Sequence, residues 1–142
     1  MYARRKLLVA LASVLTLTVT RAAIGCSCVA IDPAAAYAGV GLIVLVRVTS
    51  LETSPSQGPW KVTLLTLRTW KGSVKPGTTV QVQTSGPEGA CGFFIHTGDE
   101  LLVYSNDPDN LTGIGLCNTV RGSNVPTHIE KLDALSHSRS DL

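Results

Sequence analysis

The chemistry this chain could perform is concentrated in four cysteines, Cys26, Cys28, Cys91 and Cys117, the first two separated only by Ser27. Four thiols can hold a metal, run a redox cycle or form two disulfides. No thioredoxin-like βαβ pattern surrounds Cys26-Ser27-Cys28, which argues against redox work. His96, His128 and His137 fall in a hairpin, a helix and a tail and read as surface histidines, so no metal site of the protein's own is expected. Neither a Ser/His/Asp set nor a carboxylate pair can be placed, so the chain is not expected to be an enzyme or to carry a cofactor. An even cysteine count in an exported chain reads as two disulfides, with three connectivities open.

Export is written at the amino end. Arg4, Arg5 and Lys6 precede an uncharged run from Leu7 to Thr20, followed by the small-residue segment Ala22-Ala23-Ile24-Gly25. This is the pattern of a signal peptide over residues 1–25, and the run is shorter than the roughly 20 residues a membrane span needs. Cleavage after Gly25 would make Cys26 the first mature residue; cleavage after Ala22 is the rival. Arg4, Arg5, Lys6 and Arg21 leave with the signal, so the formal net charge of +2 belongs to it. The mature chain has more acidic than basic side chains and no Lys/Arg cluster, and nucleic acid is not expected as a partner.

The elements that must position the cysteines follow from pattern. Asp32 can cap, and Pro33 can begin, a short helix through Ala38. Val40, Leu42, Val44, Val46 and Val48 alternate while Ile43 and Leu45 make the other face apolar, the pattern of a strand covered on both sides. Ser54 to Pro59 reads as a turn. Trp60 to Trp70 is a strand whose apolar phase slips, predicting a β-bulge between Leu64 and Leu65, and its two tryptophans read as core or rim packing. Val80 and Val82 mark a further strand. Gly92 to Ile95 and Glu100 to Tyr104 flank a hairpin turn at Thr97-Gly98-Asp99. Leu111 to Cys117 reads as a last strand, and Thr127 to Leu135 as an amphipathic helix behind Pro126. One domain over 26–137 is expected, with 138–142 a disordered tail.

Taken in order, Cys26-Ser27-Cys28, Trp70-Lys71-Gly72, the run Glu88-Gly89-Ala90-Cys91-Gly92-Phe93-Phe94, Glu100 to Tyr104 and Cys117 resemble the netrin-like domain. More narrowly, they are similar to the amino-terminal domain of tissue inhibitors of metalloproteinases, in a bacterial single-domain form. The resemblance spans residues 26 to about 122. It implies a mainly β fold, an OB-type small barrel, closed or partly open, with a short amino-terminal helix, a carboxy-terminal helix and two disulfides, Cys26 with Cys91 and Cys28 with Cys117.

It also implies a function. A free α-amine on Cys26, beside the carbonyl oxygen of the same residue, can close a five-membered chelate ring on the catalytic zinc of a metalloprotease and displace the water that the zinc needs. Ser27, Cys28 and Val29 would contact the protease next to the zinc, and the loop residues Glu88, Gly89 and Ala90 would extend that contact. The expectation is a secreted, monomeric inhibitor, periplasmic or extracellular, whose partner is a zinc metalloprotease. The alternative is a non-inhibitory netrin-like binding module of the cell envelope. Ala23-Ile24-Gly25-Cys26 resembles a lipobox, and acylation at Cys26 would anchor that form to a membrane as a lipoprotein.

Overall fold

The computed structural model describes residues 26–53, 58–86 and 94–140, with side chains through His137 and Ser138 at the carboxy end. The expected signal peptide, and the loop residues Glu88, Gly89, Ala90 and Cys91, lie outside the described residues.

Helix α1 (Pro33–Gly39) forms where Asp32 and Pro33 place it. The Asp32 carboxylate accepts a 3.0 Å hydrogen bond from Ala35 N, satisfying one of the orphan amides of the first turn, and proline at the first position loses no bond. At the other end the Val40 amide donates to Ala36 O in extended backbone.

Five strands follow in the described residues: β1 (Leu42–Glu52), β2 (Trp60–Lys71), β3 (Thr79–Thr84), β4 (Glu100–Ser105) and β5 (Thr119–Arg121). They make one antiparallel sheet in the order β3-β2-β1-β4-β5. The most deeply buried of the long strands, β1, therefore sits centrally, and both its faces are covered. Leu42, Val44, Val46 and Val48 point into a core completed by Leu64, Leu101, Val103 and the loop residues Ile95, Leu111 and Ile114. Ile43 and Leu45 point the other way, with Leu102 and Tyr104 of β4, into a second core roofed by the helices.

The slip in β2 is real, but it lies elsewhere than expected. The register runs regularly through Leu64 and Leu65 opposite Val48 and Arg47, and the extra residues are Leu67 and Trp70 on β2 and Thr49 on β1. Val62, Leu64 and Thr66 are buried on the first face, whereas beyond Leu67 the even-numbered Arg68 and Trp70 reach the helix side. The bulge thus turns the distal half of β2 over, which the alternating apolar residues on both faces concealed.

Helix α2 (Asn124–Ser140) begins three residues before the expected start and runs three past the expected domain end at 137. Pro126 lies in its first turn, where an amide has no intrahelical partner to lose. Leu132 and Val125 are buried against the second face of the sheet. Polar contacts fix the docking: Trp70 Nε1 donates to Asp133 Oδ1 at 2.7 Å, Arg68 forks onto the same carboxylate, and the Arg68 guanidinium lies 4.5 Å from the Trp70 ring centroid. The indole and guanidinium bonds lower the Asp133 pKa against the opposing pull of burial.

The segment Leu111–Cys117, expected as a strand, is irregular. Among the described residues its backbone pairs with the sheet at a parallel bridge between Gly113 and Gln83 of β3, and the true last strand is the three-residue β5 beyond it. Among the described residues the fold is thus mainly β: one open five-stranded sheet, two helices and one disulfide.

Candidate functional site

The amino-terminal segment leads into α1 as extended coil. Ile31 packs on the helix-side core and Asp32 caps the helix, so the chain is held from residue 31 onward. Upstream, Cys28 is joined to Cys117 with their Cα atoms 5.1 Å apart, closing 89 residues of sequence. Ser27, just before the bridge, is exposed, and between the two anchors Ala30 is exposed and Val29 is 92% exposed. Leu116, beside the other half of the bridge, is also an exposed apolar residue. The disulfide is therefore flanked on its two segments by apolar side chains, Val29 largely and Leu116 partly open to solvent.

What holds Cys117 in place was not legible in the sequence. Asn118 knits the irregular segment together: its Oδ1 accepts from Gly115 N at 2.8 Å and from Thr119 Oγ1 at 3.1 Å, while its Nδ2 donates to Gly113 O at 3.2 Å. Its own carbonyl accepts from Tyr104 N of β4 at 2.9 Å. Glycines at 113 and 115 have no side chains of their own to satisfy the turn, and the polar residue directly after Cys117 does so instead. An asparagine following a glycine-rich apolar run was the available signal.

On the far side of the segment, Ala30 to Pro33 face Asn124, Thr127, His128 and Lys131 of α2 across a cleft of about 310 Å³. His128 Nδ1 lies 3.0 Å from the Tyr104 hydroxyl. Burial pushes the Tyr104 pKa up to about 12, with the Asp32 carboxylate adding to the effect. Burial also lowers the pKa of His128, Lys131 lowers it further, and Asp32 opposes both.

The Trp70-Lys71-Gly72 motif has a structural role. Gly72 takes φ +96°, and a Cβ there would come within 2.5 Å of Leu42 Cδ1 and 2.6 Å of Pro108 O. This close approach lets Pro108 O accept from Ser73 N at 2.8 Å, joining the β2 end to the turn after β4. Of the other predicted site residues, Ser27, Cys28 and Val29 stand together in the exposed segment with Cys26 at its head. Among the described residues no group of three or more His, Cys, Asp or Glu side chains is placed to hold a metal, and no helix is long and apolar enough to cross a membrane. His96 faces Asp99 at 3.6 Å and His137 Nδ1 lies 2.6 Å from Asp133 O.

Compared with known protein families and with curated proteins, the chain matches no family model and no curated protein.

Proposed function

We propose that the mature protein is a secreted, netrin-like inhibitor of a zinc metalloprotease, chelating the enzyme's zinc through the amine and carbonyl of an amino-terminal Cys26. The observation that carries this reading is the Cys28–Cys117 bridge with Val29 and Leu116 exposed on either side of it. A chelating terminus gains affinity only if it is ordered beforehand, because a floppy one spends its interaction energy on ordering. Cys26 stands two residues from a covalent anchor, and Ile31 and Asp32 fix the chain again just downstream. The α-amine, with an ordinary pKa of about 8, would lose its proton on binding zinc at modest cost near neutral pH.

The remaining parts of the reading follow the same resemblance. Cys26 would pair with Cys91, Glu88 to Ala90 would lie beside the amino terminus, and the Gln83–Gly113 bridge would be the rudiment of OB-type barrel closure across the open side of the sheet.

The test is amino-terminal sequencing and intact-mass analysis of the native protein, followed by inhibition assays against a panel of zinc proteases. A mature form with one added alanine before Cys26 serves as the mechanistic control. The expected result is a free Cys26 terminus and inhibition that falls at least a hundredfold on extension. Undiminished inhibition by the extended form would overturn chelation, and an acylated Cys26 would favour the lipid-anchored binding module instead.

A further inference from the structure

Tyr104 belongs to the helix-side core, but its hydroxyl leaves that core to meet His128, a contact the amino-terminal segment does not share. The contact joins β4 to α2 at the rim of a cleft whose opposite wall is the chain leading from the disulfide into α1. We propose that His128 is an acid-sensitive latch that holds helix α2 against the sheet and the amino-terminal segment, and that protonating it loosens this docking.

The Tyr104 residue is only 4% exposed, and with its pKa pushed up to about 12 its hydroxyl keeps its proton through the neutral and acid range. An imidazole with its proton on Nε2 accepts from that hydroxyl at Nδ1. Protonation places a hydrogen on Nδ1 as well, so the 3.0 Å contact survives only by reversing: Nδ1–H donates to the tyrosine oxygen, and the hydroxyl proton must turn away from the acceptor it had.

The charges around His128 decide how much the rest of the site resists. From its own helix Lys131 repels a positive imidazole; from the α1 side Asp32 attracts it; Tyr104 on β4 is neutral; and the other polar residues of the cleft, Asn124 and Thr127, are uncharged. Asp32 is already engaged with Ala35 N as the helix cap, so it compensates only partly. Burial and Lys131 together outweigh it, and the histidine pKa lies below its ordinary value of 6.5.

A group whose pKa is lower in the docked state than in the free state contributes stability that is present above the free value and is lost as the pH falls through it. The loss therefore begins near pH 6.5. With an unperturbed free state, the docked population relative to the open one can fall by at most about tenfold between pH 7.5 and 5.5. The carboxylates with lowered pKa values, Asp107 and Asp133, titrate below that window and do not confuse it.

The experiment is amide hydrogen exchange of α2 in the full mature chain at pH 7.5 and 5.5, corrected for intrinsic rates, alongside an NMR titration of the His128 ring. The wild type should open its α2 amides several-fold more often at pH 5.5, with the His128 midpoint below 6.5. In His128→Asn, whose side-chain oxygen can still accept from Tyr104, the change should be under twofold. Lys131→Gln, an exposed substitution that leaves the fold alone, should raise the midpoint and shrink the acid effect. A His128 midpoint at or above 6.5, or equal acid sensitivity in wild type and Lys131→Gln, would overturn the latch.

Discussion

Replacing Cys28 and Cys117 together with alanine removes the bridge that closes 89 residues of sequence. In the chain-entropy treatment a loop of that length stabilises the folded state by about 4–5 kcal/mol, by denying the unfolded chain its open conformations. Cys117 is exposed and Cys28 only partly buried, so truncation opens no sizeable cavity and the entropy effect stands nearly alone. Against a total stability of roughly 5–15 kcal/mol, the loss takes a third or more of the margin. For a chain of about this size it should lower the melting temperature by roughly 15–20 °C. Calorimetry of the oxidised wild type and the double variant at one pH measures this, and amide exchange should accelerate most at Ser27 to Ile31 and Gly113 to Thr119. A loss below about 1 kcal/mol would refute the reasoning, because it would mean that the unfolded chain is already held together without the bridge.

Two further substitutions test the local accounts. Gly72→Ala combines a positive φ with a Cβ inside 2.6 Å of Leu42 Cδ1 and Pro108 O, and should cost about 3 kcal/mol in chemical denaturation. Gly77→Ala, at φ +85° but with nothing within 4 Å, should cost only about 1 kcal/mol, and equal losses would sink the close-approach argument. Asn118→Ala strips partners from Gly113 O and Gly115 N and should cost about 1–3 kcal/mol, with exchange at residues 113–119 rising more than in β1. Uniform loosening across the sheet would refute the view that Asn118 holds the seat of Cys117.

Where one physical effect dominated, the sequence could be read. The alternation of Leu42 to Val48 against Ile43 and Leu45 left β1 no location but the centre of a sheet covered on both faces, as found. Asp32 followed by Pro33 fixed the start of α1, and Gly98, at φ +98°, gave the turn before β4. Failures came where tertiary contacts compete with local pattern. Leu111, Ile114 and Cys117 look strand-like, yet Leu111 and Ile114 fill the core from irregular backbone, and the Asn118 side chain takes up the Gly115 amide and the Gly113 carbonyl instead. The phase slip in the apolar residues of β2 predicts a bulge between Leu64 and Leu65; the true inversion at Leu67 depends on where α2 needs Arg68 and Trp70, which no local window contains. His128 reads as a surface histidine and Tyr104 as one residue of a strand because their pairing spans 24 residues, and Asn118 is obscured because it serves a turn that resembles a strand.

The same fold explains why the ends of the chain can do different work. One core is closed by loop residues, so the sheet is stable on that side without a helix; the other is roofed by α1 and α2, which meet beside the amino-terminal segment. That segment is anchored by three unlike forces within five residues: a covalent bond at Cys28, apolar packing at Ile31 and a capping carboxylate at Asp32. An extended residue advances only about 3.3–3.6 Å, so Ser27 and Val29 are confined to a small volume beside Cys117. A single exposed valine is ordinary on any protein surface. Val29 and Leu116 together matter because they flank the same bridge, where a partner approaching Cys26 would have to cover both. If α2 loosens in acid, the wall of the cleft behind Ala30 to Pro33 moves while the disulfide holds, so acidification should mobilise the rear of the segment and leave its tip attached. Exchange at Ile31 and Asp32 that rises with acid, against unchanged exchange at Cys28, is the signature that separates this two-anchor arrangement from a segment that moves as one piece.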